Sequence, residues 1–188
     1  MSDEVRLART DELTGPELDA LHELCRVAFE TPGATRDPMG LGFTQDDWAH
    51  ACGGVHAFVL EDGDPVAHGS VVERELHAGG VPLRTGYVEG VATRPDRQGR
   101  GLGSAVMRAL GHEVRAGFEL GALDTSLHAF YGRLGWERWR GPTFVRTDDG
   151  PVATIEEDGY VMILRTPSTP TLDLDAPISC EWRPGDVW

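Results

Sequence analysis

The sequence predicts an α/β protein of the α+β kind, with strands and helices interspersed along one domain. Three observations predict it. A strand, a glycine-rich loop and a helix follow one another without a break between residues 86 and 110. Hydrophobic periodicity gives the element order β-α-α-β-β-β-α-β-α-β-β. No repeated βαβ unit follows the glycine loop, as a dinucleotide-binding sheet would require. At 188 residues, 40% of them hydrophobic, the chain suits one domain, residues 1–188, with a substantial core.

The first strand is residues 5–8. Residues 14–29 follow as a helix, with Thr14 as candidate cap and Glu17 three positions on, a capping box. Leu18, Leu21, Leu24, Cys25 and Ala28 recur along it at helical spacing. Two prolines and three glycines make residues 31–42 a loop. Thr44 caps a second helix, residues 44–52, with Asp46 and Asp47 in its first turn. Strands at residues 55–60 and 65–76 flank the hairpin turn Glu61-Asp62-Gly63-Asp64. His77-Ala78-Gly79-Gly80 turns the chain again into a central strand, residues 81–93. Beyond the glycine loop and its helix come a strand at 120–123 and a short helix at 129–134, ended by Gly135. Residues 139–147 and 160–165 read as a closing pair of strands. Residues 167–177 read as a Pro/Thr/Asp-rich connector, and 178–182 as an edge strand.

Net charge is −14. Such a surface repels nucleic acid and anionic membrane and attracts cations. The apolar runs are too short and too interrupted for a membrane span. The opening Met-Ser-Asp-Glu-Val-Arg lacks a signal-peptide pattern. Three widely spaced cysteines, Cys25, Cys52 and Cys180, fit a reducing cytoplasm better than a disulfide framework. His50, Cys52, His56 and His68 lie close in sequence but span a helix end, a turn and two strands. They lack a second cysteine pair, so the reading is structural, with no metal.

The chemistry concentrates after the central strand. Pro95 and Asp96 mark a turn, and Gly99, Gly101 and Gly103 alternate through the loop that opens the next helix, where Ala105, Val106, Ala109 and Leu110 share a face. Glycines let backbone approach a ligand, and the amides of a first helical turn have no intrahelical partners, so the loop is an anion site. Arg97 and Arg100 add positive charge. No Gly-Lys-Ser/Thr closes it, and Gly-x-Gly-x-Gly is not the dinucleotide fingerprint. The run Gln98, Gly101, Gly103 resembles the Gln/Arg-x-x-Gly-x-Gly/Ala motif of the GCN5-related N-acetyltransferases. That resemblance implies a mixed central sheet with splayed middle strands, flanked by helices, and acetyl coenzyme A as co-substrate. It assigns the coenzyme to Val91, Ala92, Thr93, Gln98, Gly99, Arg100, Gly101, Leu102, Gly103, Ser104 and Asp124.

Acetyl transfer to an amine needs a neutral amine, a polarised carbonyl and a protonated leaving thiolate. Glu89, a carboxylate in an apolar strand, is the candidate base, acting directly or through water. Tyr131 stands in Phe130-Tyr131-Gly132-Arg133-Leu134-Gly135-Trp136, which resembles the superfamily's Phe-Tyr-x-x-x-Gly-Phe segment. There the tyrosine protonates the sulfur, so Tyr131 is the candidate acid. A backbone N–H after Gly90 would polarise the carbonyl.

Three further stretches narrow the resemblance: Gly53-Gly54-Val55-His56-Ala57, Gly86 through Ala92, and the octet Glu181-Trp182-Arg183-Pro184-Gly185-Asp186-Val187-Trp188. Together they look like the aminoglycoside 2'-N-acetyltransferases. The implied substrate is a cationic aminoglycoside contacted by Asp47, Glu89, Gly90, Glu157, Asp186 and Trp188, the last through its terminal carboxylate. A homodimer is implied too. Carboxylates suit a polyammonium ligand through charge-assisted hydrogen bonds. The chain departs from that family at Gly42, where an acidic drug contact is expected; either Asp37 substitutes for it or the contact is absent. It also departs in a longer loop at 31–41 and near Asp124-Thr125-Ser126, where it is two residues shorter. Transfer to another cationic amine, drug sequestration without turnover, and an acetyl-coenzyme-A sensor are the competing readings.

Overall fold

The computed structural model describes residues 4–30 and 42–188. The loop at 31–41, with Asp37, lies outside the described residues. The chain forms two compact units, residues 1–72 with 88–112, and residues 73–87 with 113–188.

In the first unit, β1 (Val5–Arg9) pairs antiparallel with β2 (Val55–Glu61), and β2 pairs antiparallel with β3 (Asp64–Ala78). Beside β3 runs β4 (Val81–Thr93), where Arg94 N–H donates to the Val66 carbonyl at 2.9 Å. The β2–β3 turn keeps Asp62 and Gly63 at φ 53° and 94°, the left-handed pair that a tight two-residue hairpin needs. Helix α1 (Gly15–Phe29) starts as its sequence dictates: the Glu17 carboxylate accepts from the Thr14 amide at 2.9 Å and hydroxyl at 2.8 Å. Helix α2 (Gln45–Ala51) repeats the device with Thr44 and Asp47. The two helices bury Leu21, Leu24, Cys25, Ala28, Trp48 and Ala51 with Phe58 and Ala92 of the sheet. Helix α3 (Leu102–Gly117) lies on β3, because Gly69 leaves room there. A Cβ on Gly69 would sit 3.0 Å from Leu110 and 3.2 Å from Val106.

The second unit has strand order β6-β9-β5-β4-β3-β10-β7-β8. Its new strands are β5 (Leu120–Asp124), β6 (Glu137–Arg138), β7 (Thr143–Thr147), β8 (Gly150–Ala153), β9 (Val161–Arg165) and β10 (Ile178–Glu181). The short α4 (His128–Gly132) follows β5. The sheet is mixed: β4 runs parallel to β5 over Thr85–Tyr87 and Leu120–Ala122, and β10 runs parallel to β7.

Three expectations for this unit need correction. Residues 139–147 are not one strand: at Gly141 a side chain would meet the Ala176 carbonyl at 1.9 Å, and the backbone there is bonded to Leu174. The strands that follow do not close on each other either. β9 pairs with β5 and β6, while β7 pairs with β10 and with the unforeseen β8. Finally, β10 is an interior strand, held by β3 on one side and β7 on the other. The β3–β4 turn is also tighter than expected, since β3 continues to Ala78 and only Gly79-Gly80 turn.

Close backbone approach fixes where the first-unit sheet starts. A Cβ on Gly54 would lie 1.9 Å from the Val71 carbonyl oxygen. We expect Gly54→Ala to cost about 2 kcal/mol or more through forced backbone movement, lowering the thermal midpoint by roughly 4–8 °C. Calorimetry showing an unchanged midpoint would refute that packing.

Candidate functional site

In the first unit the glycine loop takes the form its composition requires. After β4 a 3-10 turn, Pro95–Arg97, leads into Gly99 and Gly101 at φ 76° and 85°. A substituent on either glycine would point into open space. Ala105 N–H already donates to the Gly101 carbonyl at 3.0 Å, so the amides one to three residues before Ala105 belong to the unbonded first turn. Ala92 is 3% exposed in the core, so its contribution to a ligand is backbone only. The Gln98 amide donates to the Thr93 carbonyl at 3.4 Å. The two arginines expected to strengthen the anion site are engaged: Arg97 pairs with Glu61 at 2.7 Å and Asp96 at 2.6 Å, and Arg100 pairs with Glu61 at 2.8 Å. Glu61, from the β2–β3 turn, thereby organises the loop's cations and offsets part of their charge.

Glu89 is half-buried near the middle of β4, and the next residue, Gly90, has φ 56°. A left-handed glycine inside a strand is the signature of a bulge, which breaks the alternation of side chains and re-aims the one beside it. The carbonyls flanking this link are both held from beneath. Ser70 Oγ donates to Glu89 O at 3.4 Å, and His68 Nδ1 lies 2.9 Å from Gly90 O. Helix α2 packs on the same spot, since a Cβ on Gly90 would be 3.5 Å from that of Ala51. Asp47 is four residues before Ala51 and thus on the same helical face. Its carboxylate accepts from the Thr44 amide at 2.7 Å, so a residue expected to meet substrate also caps its helix.

Two groups missed as site components lie under Gly90. His56 and His68 are fully buried, with Nδ1 of His56 and Nε2 of His68 2.9 Å apart. His56 Nε2 meets Thr10 Oγ1 at 2.9 Å, and Cys25 Sγ sits 3.4 Å from His68 Nδ1. Burial pushes His56 down to about 4 and His68 to about 3, the latter helped by its histidine neighbour. Burial also holds the Cys25 thiol well above its usual range. A neutral thiol beside a neutral imidazole is not an activated nucleophile. Their clustering in sequence was visible, but that they pair across β2 and β3 was not.

The second unit gathers the C-terminal octet around Thr154. Trp188 is 4% exposed, and its indole N–H donates to Thr154 Oγ1 at 2.9 Å. Thr154 Oγ1 bonds Thr143 Oγ1 at 2.8 Å, and Thr143 donates its amide to Asp158 at 2.8 Å. The Thr154 carbonyl accepts from the Glu157 amide at 2.8 Å, so Glu157 and Trp188 are tied to one residue. Asp186, exposed, accepts from the Trp188 amide at 3.1 Å. Arg183 donates to the main-chain oxygens of Trp188 and Asp186, and Arg74 to that of Val187. Of these anchors, Thr154, Thr143 and Arg74 carried no sequence signal. Tyr131, in α4, is 6% exposed, and burial pushes its phenol well above the ordinary value. Asp124, half-buried, ends β5. A cavity of about 500 Å³ in this unit, lined by Glu73, Arg74 and Arg84 among others, includes none of the expected site residues.

The sequence pattern of the acetyltransferase (GNAT) domain matches residues 9–139. The chain belongs to the GNAT acetyltransferase family. It is similar to an aminoglycoside 2'-N-acetyltransferase of Mycolicibacterium fortuitum, with 38% identity over 187 residues, covering 97% of this chain and 91% of the relative. The fold matches a Brucella melitensis GNAT family acetyltransferase solved with acetyl-CoA at TM-score 0.58 and 18% identity, covering 91% of this chain and 94% of that one. It also matches an Escherichia coli GNAT family N-acetyltransferase solved with CoA at TM-score 0.63 and 12% identity, covering 94% and 88%. These matches agree with the mixed sheet and its glycine loop. No described helix is long and apolar enough to cross a membrane, and no described cluster of His, Cys, Asp and Glu fits a metal.

The buried histidines give this GNAT domain a defined acid sensitivity. Their folded values lie below the ordinary value of about 6.5, so the unfolded chain binds more protons between the two. Their contribution to stability is complete above about pH 6.5 and is lost as pH falls through about 4 for His56 and toward about 3 for His68. We expect the denaturation midpoint to drop over that range, and His56→Asn with His68→Asn to flatten the slope. Equal slopes would contradict the neutral, buried pair.

Proposed function

We propose that this chain transfers the acetyl group of acetyl coenzyme A to the 2'-amino group of aminoglycosides, by direct attack within a ternary complex and as a single catalytic domain of 188 residues. The observation that carries the reading is near full-length similarity to an aminoglycoside 2'-N-acetyltransferase, at 38% identity. The glycine loop supports the coenzyme half. Unbonded amides at the start of α3 suit a pyrophosphate, with Val91, Ala92, Thr93 and residues 98–104 as the binding stretch and Asp124 as a further expected contact. The acidic residues support the drug half, since Asp47, Glu157 and Asp186 suit ammonium groups, with the main-chain carboxylate of Trp188 as the further expected contact.

In this reading the neutral 2'-amine attacks the thioester carbonyl carbon. A C–N bond forms and the C–S bond breaks. The proton leaving nitrogen goes to Glu89, directly or through one water. The departing sulfur takes its proton from the Tyr131 phenol, which burial keeps protonated at neutral pH. The N–H after the Gly90 bulge polarises the carbonyl. The enzyme acts in the cytoplasm, in keeping with its three free thiols. Exposed Ile155 and Trp182 offer apolar surface for a homodimer.

Thiol release from acetyl coenzyme A with kanamycin B and kanamycin A side by side tests the reading, because the first carries an amine at 2' and the second a hydroxyl. Turnover with kanamycin B alone is expected. Equal turnover would move the target to another amine, and none with either would remove the drug as substrate. For the base, Glu89→Gln should slow transfer roughly 100-fold or more and make the rate rise more steeply with pH. An unchanged pH–rate profile would withdraw Glu89 from that role.

A further inference from the structure

The hydrogen bonds beneath Gly90 have only one consistent direction. A carbonyl oxygen accepts and never donates, so His68 Nδ1, 2.9 Å from Gly90 O, carries its proton. A neutral imidazole has one N–H, so Nε2 of His68 accepts. Nδ1 of His56, 2.9 Å away, must therefore donate to it. That leaves Nε2 of His56 as an acceptor for the Thr10 hydroxyl at 2.9 Å, and Thr10 Oγ1 in turn accepts from the Gly53 amide at 2.8 Å. Every link from Gly53 to Gly90 points the same way. Both rings are fully buried, and the nearest titratable neighbour is Cys25, whose thiol also donates to Gly90 O at 3.5 Å.

A buried polar chain of this kind is costly unless every member is satisfied, and here each named ring nitrogen has a partner. It ends on the residue whose left-handed backbone aims Glu89. We infer that His56 and His68 are positioning residues for acetyl transfer: their ordered chain clamps the Gly90 carbonyl, holds the bulge at φ 56° and thereby fixes the Glu89 carboxylate and the following N–H. This rests on the reading of Glu89 as the base. Apolar side chains at positions 56 and 68 would fill the same space without a directional bond, so packing alone does not require the pair.

The test compares His68→Asn, whose amide nitrogen replaces Nδ1 as donor, with His68→Leu, which has no donor, each alone and in a Glu89→Gln background. We expect His68→Leu to lower kcat with kanamycin B at least tenfold while KM for acetyl coenzyme A stays within twofold. His68→Asn should recover most of the rate, and His68→Leu should add little to Glu89→Gln. Nitrogen-15 spectra of the wild-type protein should show both rings protonated at Nδ1. A full-rate His68→Leu, an Asn variant as slow as the Leu variant, or Nε2 protonation would overturn the inference. So would a full His68→Leu effect added to a slow Glu89→Gln. A full-rate Glu89→Gln would instead overturn the base assignment, leaving the clamp on Gly90 to stand or fall on the Leu and Asn pair.

Discussion

Gly90 is the constraint against which the first unit packs, and the proposed chemistry depends on it. A strand that alternates regularly would hold Glu89 on one face with Tyr87 and Val91 and offer no reason for a carboxylate there. One residue at φ 56° breaks that regularity, and only glycine holds such a conformation without a steric penalty. The surroundings then specify it from three sides: Ala51 of α2, Cys25 of α1 and His68 of β3 all lie within 3.7 Å of where a Cβ would stand. The first-unit core is thus built against the bulge, and one buried imidazole, that of His68, binds its carbonyl. Polar groups in that core serve a backbone conformation.

Charge follows a related economy. The chain carries −14 overall, yet the segment that suits a polyanionic coenzyme holds its arginines in place with two carboxylates, Glu61 and Asp96. Full pairing costs the loop some attraction for phosphate but keeps two long side chains ordered beside it. In the proposed reading amides supply the rest of the anion recognition, and their dipoles need no counter-charge. The acidic surplus is left for a cationic acceptor. In the second unit the same logic appears with opposite sign, where Arg183 and Arg74 bind the backbone of residues 186–188 and leave the Asp186 side chain exposed.

Where the signal is local, the residues announced the structure. The capping box at Thr14, the cap at Thr44, the Asp62-Gly63 turn and the glycine loop are each decided within a few residues, and each formed as expected, the Thr44 cap as a full box with Asp47. Long-range pairing was not legible. Nothing within residues 139–147 says that Gly141 must admit the backbone of Ala176, which breaks the strand, or that β10 sits between β3 and β7. The candidate site divides the same way. Its coenzyme loop was readable as a motif. The Thr154 anchor of Trp188 and the His56–His68 contact join residues 34 and 12 positions apart, and appear only once strands are in register. Asp47 shows a further limit: one carboxylate serves as helix cap and as candidate drug contact, and its sequence context describes only the first.

The central claim is regiochemical, and the product itself decides it. Two-dimensional NMR of tobramycin acetylated by this enzyme with carbonyl-labelled acetyl coenzyme A should show a single new amide, its carbonyl correlated with the proton on carbon 2'. Acetylation at any other amine, or a mixture of positions, would contradict the account and return the acidic residues around Glu89 and Asp186 to the search for a different acceptor.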